Sequence, residues 1–328
     1  MKNKILIFSL LIIFLIALII VGFYFVQTKK IAAKPLQEIM LGLSWIHQAQ
    51  FTGEYYADQF GLYKKEGLKV NLIPGSIDID PIDKLISGEY DFALVQPDSL
   101  IKAVSEGKKI KAIAVTYKIH PLVFASLSAK NIKKPEDLIG KTIGVAYSEE
   151  IPLIAMLKKN NIPLEKVKIV QRDYNYDKLY SGEFDVEAGW IDDEIQIEKR
   201  QGHEFNLIRP SDYGVIFYAD LIVTTDKQIS QNPQLVEKFL QATLLGWQEA
   251  IQDIKANSQL TLKYDPTKDP IHELDVLEYS LPLIHTGQSP LGWMEDNIWQ
   301  QMYNTLFEQK IITKPFDING AYTDQFLN

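Results

Sequence analysis

The chain of 328 residues contains no cysteine. This excludes disulfides, thiolate metal sites, a cysteine nucleophile and a lipid anchor on an N-terminal cysteine. Arginine is scarce and the net charge is −8. Nucleic-acid binding needs concentrated Lys and Arg, so no nucleic-acid partner is expected. No G-x-S-x-G, Walker loop or GxGxxG is present, which removes local support for serine hydrolysis and phosphate cradles. None of the histidines (His47, His120, His203, His272, His285) pairs with another His or a carboxylate at a spacing such as HExxH, so no metal site is expected. Asp78-x-Asp80-x-x-Asp83 lacks the Gly and distal Glu of a calcium loop. With Pro81 next, it reads as a helix start capped by Asp80. No catalytic residue and no cofactor are expected.

What the chain does have begins at its N-terminus. Lys2 and Lys4 precede an uncharged apolar run, Ile5 to Val26, closed by Lys29 and Lys30. As a helix the run spans about 33 Å, enough to cross a bilayer. Phe23-Tyr24-Phe25-Val26 is a poor exit for a cleavable signal, which prefers small residues and a shorter apolar core. Residues 1–30 are therefore expected to be an uncleaved membrane anchor, and 31–37 a linker. The body is expected to be extracytoplasmic, in the periplasm or at the cell surface, tethered to the cytoplasmic membrane by residues 5–26. The remaining residues, about 295, exceed one typical core, so two lobes are expected.

Beyond the linker, strand-like and helix-like stretches alternate. Ile39 to Leu43, Leu68 to Ile73, Asp91 to Val95 and Ile110 to Thr116 read as strands. Gly53 to Lys65 and Pro81 to Ser87 read as helices, a βαβ rhythm that argues for a parallel sheet with helices on its faces. One segment echoes another: Lys84-Leu85-Ile86-Ser87-Gly88-Glu89-Tyr90-Asp91-Phe92 recurs as Lys178-Leu179-Tyr180-Ser181-Gly182-Glu183-Phe184-Asp185-Val186. Any αβ unit can look like this. The sharper reading is two related α/β lobes that each deliver a strand end to a shared crevice, where ligands of open α/β sheets bind. Lobe 1 then comprises residues 38–128 plus 214–328, and lobe 2 residues 129–213. Helices are expected at Pro233–Asp253, with Asn232 as cap, and near Ile271–His285 and Asp296–Lys310.

The strand ends supply the candidate ligand-binding residues. Trp45, Gln48 and Gln50 follow the first strand; Trp offers a flat stacking face and the glutamines both donate and accept. Gln96 follows another strand end. Trp190, Asp193 and Glu194 form the counterpart on lobe 2, although an acidic helix start explains the carboxylates equally well. Tyr213, Tyr218 and Asp220 cluster at the return crossing, and Tyr117 ends another strand; for these four, ordinary packing is the competing reading. A flat apolar cleft with few polar groups suits a small planar heterocycle. Sulfonates or nitrate would call for Arg or Lys, and no arginine falls in these segments.

The spacing Trp45-x-x-Gln48-x-Gln50-Phe51-x-Gly53-x-Tyr55-x-Ala57 is followed by Gly61-x-Tyr63-x-x-Glu66-Gly67-Leu68-x-Val70 and Ser87-Gly88-x-x-Asp91-Phe92. Pro135-x-Asp137-Leu138-x-Gly140-Lys141-x-Ile143-Gly144, Asp212-Tyr213-Gly214, Asn232-Pro233 and Phe239-Leu240-x-Ala242-Thr243-x-x-Gly246-Trp247 continue it. In this order, from about Met40 to Phe326, the chain resembles the substrate-binding proteins of ABC importers for thiamine pyrimidine precursors, riboflavin and, more distantly, taurine-type sulfonates. Gln48-x-Gln50-Phe51 looks more like the riboflavin branch. The resemblance implies a type II periplasmic-binding-protein fold, α/β and two-lobed, closing on a small-molecule ligand and serving an ABC permease with its ATPase. It also implies that Trp45, Gln48, Tyr55 and Glu194 face the ligand, with Asp193 standing where Asn is more usual. Fungal thiamine-pyrimidine synthases share the fold and use a Lys that binds pyridoxal phosphate, a nearby His and a cysteine-rich motif. Here the Lys position is Val95 and the His position Ser99, so no Schiff base can form. A ligand-sensing module acting through a signalling partner is the second reading.

Overall fold

The computed structural model describes residues 35–327 together with Ile16. Apart from Ile16, the expected anchor Ile5–Val26 lies outside the described residues. Among the described residues no helix is long and apolar enough to cross a membrane.

Two five-stranded sheets divide the body. The first, in order β2-β1-β3-β10-β4, uses β1 (Gln37–Gly42), β2 (Leu68–Ile73), β3 (Phe92–Val95), β4 (Ile110–Tyr117) and β10 (Ala219–Thr225). The second, in order β7-β6-β8-β5-β9, uses β5 (Leu122–Leu127), β6 (Thr142–Val145), β7 (Lys168–Gln171), β8 (Val186–Trp190) and β9 (Phe205–Ile208). β1 runs parallel to β2 and β3, as β6 does to β7 and β8. The expectation of a parallel sheet holds for these strands and is corrected by one strand in each lobe. β10 is antiparallel to both of its neighbours, and so is β5. These are the strands by which the chain enters a lobe. They begin at the crevice, opposite the carboxyl ends of their neighbours, and can only run away from it. The lobe boundary expected at 128/129 moves as well, because β5 pairs in the second sheet and the outward crossing lies between Tyr117 and Leu122.

The sequence echo is a structural echo. Gly88 and Gly182 each end a helix in the left-handed region, both at φ 79, a conformation that glycine adopts without a Cβ penalty. The Tyr90 amide bonds Lys84 O, and the Phe184 amide bonds Lys178 O. Asp91 then pins β1: its amide donates to Met40 O at 3.0 Å and its carboxylate accepts the Met40 amide at 2.9 Å. Asp185 does the same to Thr142 at the start of β6, at 2.9 and 3.0 Å. The Tyr90 and Phe184 rings cover Gly42 and Gly144, where no Cβ would fit.

Two local expectations change. The stretch Gly53 to Lys65 is two helices, Thr52–Gln59 and Leu62–Lys65, broken where Gly61 turns left-handed at φ 71. Asp80 caps its helix through Ile82 and Asp83, but Asn232 does not cap Pro233–Ala250. Its amide bonds the Gln228 side chain instead, and proline at the first helical position leaves one fewer N–H to satisfy. Helices Thr52–Gln59 and Pro233–Ala250 approach at Gly53 and Gly246, with Trp247 buried against Gly53. This contact fixes the segment that carries Trp45 to Gln50.

A Cβ at Gly246 would run into the Gly53 carbonyl oxygen, which cannot move aside as a side-chain tip would. Gly246→Ala should destabilise by about 1–3 kcal/mol in denaturant unfolding. Gly320→Ala, which meets open space, should stay within about 0.5 kcal/mol of wild type.

Candidate functional site

The carboxyl ends of β1, β3, β6 and β8 converge on a cavity of about 200 Å³ between the lobes. Lobe 1 supplies Ser44 and Trp45 from the bend after β1, Gln50 from the following helical turn and Gln96 from the end of β3. Lobe 2 supplies Ser148 and Glu149 after β6, Tyr174 after β7, and Trp190, Asp193 and Glu194 at the end of β8. An annex of about 50 Å³ continues past Gln96 and Trp190 toward His120 and Phe217. A larger groove of about 570 Å³ lies elsewhere, between helices Tyr147–Lys159 and Asp296–Glu308, and is lined by amides and lysines.

Six of the residues expected from the sequence therefore line the cavity: Trp45, Gln50, Gln96, Trp190, Asp193 and Glu194. The other six do not. Tyr55 is buried in lobe 1, where its ring stacks on Tyr264 at 4.4 Å and its hydroxyl accepts the Gln48 amide at 3.2 Å. It braces the Trp45–Gln48 bend from behind. Gln48 is buried against Asp193. Tyr117 bonds Asp192 at 3.2 Å and Ser280 at 2.7 Å. Tyr218 accepts the Glu295 amide at 2.8 Å, and Tyr213 packs on the core. Asp220 lies behind the lobe-1 wall, fully buried, accepting from Gln50 at 3.1 Å and Gln96 at 3.0 Å.

Glu149 and Arg172 were not legible as site residues. Arg172, just past β7, is buried and grips Glu149 through Nε (2.9 Å) and Nη2 (2.7 Å), with Glu194 at 3.3 Å. An arginine thus stands behind the cleft although none falls in the cleft segments, and its charge is held by carboxylates. Glu149 also accepts the Ala146 amide at 2.7 Å, and Glu194 the Trp190 amide at 2.8 Å. Burial, with Asp193 alongside, pushes the Glu194 carboxyl up to about 7.

A second cluster joins the lobes. Asp193 of lobe 2 meets His272 Nε2 of lobe 1 at 2.9 Å. Arg200 donates to His272 Nδ1 and to Asp275. Nδ1 is thereby the acceptor, so Nε2 carries the proton that goes to Asp193. Burial raises the Asp193 carboxyl, but the bonds from His272 and Gln48 outweigh it and hold it below the ordinary range. Its neighbour Asp192 accepts from Tyr117 and Ser280, and burial pushes it up to about 7. The lobes are closed on each other through side chains that flank the cavity.

A two-lobed α/β body with its polar and aromatic groups at the crevice defines the solute-binding class of fold. The aliphatic sulphonate-binding protein SsuA from Escherichia coli shares it, with a TM-score of 0.71 at 14% identity over 89% of this chain and 99% of that one. So does the desulfurization enzyme DSZB, with a TM-score of 0.63 at 14% identity over 88% of this chain and 98% of that one. A family model described as NMT1/THI5 like matches residues 48–256; the chain belongs to this family. It is 25% identical over 90% of its length to the riboflavin-binding protein RibY of Chloroflexus aurantiacus, covering 88% of that protein. It is 24% identical over 88% of its length to the formylaminopyrimidine-binding protein of Halalkalibacterium halodurans, covering 91% of it. It is also 22% identical over 88% of its length to a 4-amino-5-hydroxymethyl-2-methylpyrimidine phosphate synthase of Legionella pneumophila, covering 92% of it.

Burial raises several carboxyls at once: Glu54, Asp192 and Glu194 to about 7, Glu187 to about 8 and Asp220 to about 6. A carboxyl whose folded value is raised favours the folded state when protonated, and that contribution is lost as pH rises through the folded value. The melting temperature should therefore climb as pH falls from about 8.5 to about 6. Glu54→Gln, at a side chain whose two oxygens have no partner, should flatten that slope in a thermal-melt series.

Proposed function

We propose that this chain is the extracytoplasmic solute-binding component of an ABC importer, and that the cavity takes a small planar N-heterocycle of the thiamine-pyrimidine-precursor or riboflavin type. The observation that carries this is the pairing of one cavity-lining tryptophan from each lobe, Trp45 and Trp190, with a rim of glutamine amides and carboxylates. Indole faces supply stacking at about 0.5–1.5 kcal/mol beyond area. The rim accepts hydrogen bonds from ring and exocyclic N–H groups. The names of the RibY and formylaminopyrimidine-binding relatives point to the same ligand class.

Two competing readings fit the residues less well. A sulfonate favours a free cation, whereas Arg172 bonds Glu149 and Glu194, and three acidic side chains line the cavity. Synthase chemistry through a Schiff base needs an amine, and Val95 is an apolar side chain buried in β3. The chain is read as a binder and not an enzyme. Residues 5–26 are read as an uncleaved tether that keeps it beside its permease. Closure of the lobes over the ligand gives the permease a shape that the open form lacks. A Kd near 1 μM corresponds to about −8 kcal/mol, within reach of two stacks and a few hydrogen bonds after ordering costs.

Thermal-shift screening of the full chain in detergent against riboflavin, aminopyrimidine precursors, taurine and nitrate tests the reading. A heterocycle should raise the melting temperature with concentration, and taurine and nitrate should not. Trp45→Ala should weaken the identified ligand about tenfold or more, roughly 1.4 kcal/mol; an unchanged affinity would remove the stacking role.

A further inference from the structure

The lobe-1 wall of the cavity carries two glutamines whose orientation is set from behind. Asp220 is fully buried and takes the left-handed backbone conformation, φ 49, which is sparse outside glycine and recurs where a fold holds a group in place for a task. Its Oδ2 accepts Gln50 Nε2 at 3.1 Å and its Oδ1 accepts Gln96 Nε2 at 3.0 Å. An ionised carboxylate accepts and never donates. Each amide must therefore turn its NH₂ to Asp220, and each carbonyl oxygen is turned away from it. The Gln96 Oε1 is buried without a partner, on a side chain that lines both the cavity and its annex. Burial raises the Asp220 carboxyl to about 6, with hydrogen bonds from Ser44, Gln50 and Gln96 opposing the rise, so it is mainly ionised at neutral pH. The facing wall adds the side chains of Glu149, Asp193 and Glu194, whose carboxylates also accept bonds from Arg172, His272 and the Ala146 and Trp190 amides.

We infer that Asp220 is a positioning residue which, by orienting Gln50 and Gln96, makes the lobe-1 wall an acceptor surface that selects a ring edge bearing amino N–H donors over one bearing carbonyl acceptors. The inference rests on the reading of the cavity as a heterocycle site and adds which edge of the ring that site reads. A buried acceptor left unpaired is costly, so a ring that offers a carbonyl to Gln96 Oε1 forfeits the bond and also meets a repelling oxygen. Asp220 itself stays out of contact with the ligand.

The test compares two isosteric probes, 4-amino-2-methylpyrimidine and its pyrimidinone counterpart, by calorimetry on the full chain in detergent micelles. The wild type should prefer the amino probe at least tenfold. Asp220→Asn keeps the shape but offers one donor and one acceptor, so one glutamine must flip and present its NH₂ to the cavity. The preference should then shrink by tenfold or more, through weaker amino binding and stronger pyrimidinone binding together. A structural role alone would weaken both probes alike and leave their ratio unmoved, and that result overturns the inference. If Asp220→Asn fails to fold, Gln96→Met removes the orphaned acceptor and should cut the amino preference of the folded protein, with a lower melting temperature because Asp220 Oδ1 loses its donor; an unchanged preference overturns the inference. A wild type that binds flavin or the pyrimidinone in preference keeps the heterocycle reading and overturns the acceptor wall; one that binds no heterocycle overturns both.

Discussion

The buried Arg172 guanidinium organises the lobe-2 side of the cleft. Taking an isolated charge out of water costs several kcal/mol, and the cost is recovered only by close, well-aligned partners. Arg172 has a two-pronged contact to Glu149 and a third bond to Glu194, and Glu187 stands 4.0 Å from its otherwise unpartnered Nη1. The planar guanidinium dictates where those carboxylates sit, as a lysine ammonium would not. Once placed, Glu149 holds the Ala146 amide and so fixes the helix start that presents Ser148. Glu194 holds the Trp190 amide and so fixes the backbone of the indole that lines the cavity. One cation thereby sets the positions of an aromatic wall and an acidic rim.

Closure has a different physical character. The polar contacts across the lobes near the cleft are Asp193 to His272, Asp192 to Tyr117 and Ser280, and Arg200 to Asp275, with Leu283 of lobe 1 packing on the lobe-2 cluster beside them. Each such bond contributes about 0.5–1.5 kcal/mol net, because the open state exchanges it for water. A clasp of this size biases closure without locking it, and a ligand supplying several kcal/mol can decide the balance. A purely apolar seam would close without a ligand and empty the signal. Because Asp193 lines the cavity and also holds the His272 contact, filling the site and clasping the lobes act on the same side chain.

How much of this was readable beforehand follows from the kind of information each feature uses. The paired lobes were legible in Ser87-Gly88 and Ser181-Gly182 because a left-handed helix end and an aspartate that pins the next strand are local devices written in consecutive residues. Trp45, Gln50, Gln96, Trp190, Asp193 and Glu194 were legible because they sit just past strand ends, where open α/β sheets keep their crevice. Tyr55, Tyr117 and Tyr218 share that neighbourhood in sequence but point inward, and nothing in composition tells a cleft-facing aromatic from one that braces a loop. Arg172 and Glu149 were missed because their partnership spans 23 residues and is made only when β7 and the helix after β6 come together. The antiparallel strands β5 and β10 were missed because direction depends on where the chain enters a lobe, which periodicity does not record.

The same fold serves sulfonates in SsuA, so the fold by itself does not choose the ligand. On the proposed reading, the choice lies with the carboxylates at the crevice. In open α/β lobes the backbone amides at helix starts are ready-made anion sites. Here two of the chain's own carboxylates stand at the strand ends: Glu149 accepts the amide of Ala146, the residue before Tyr147–Lys159, and Glu194 accepts the amide of Trp190, the last residue of β8. Arg172, the remaining attraction for an anion, is taken by the same two carboxylates. An incoming anion would have to displace a charge that is covalently part of the wall and held at high effective concentration. It would also approach the Asp193 carboxylate, which lines the cavity. An incoming N–H donor faces none of these costs, and a hydrogen bond to Glu194 would offset the desolvation that raises its carboxyl. On the proposed reading, the chain's own carboxylates make the crevice a better host for a hydrogen-bond donor than for an anion.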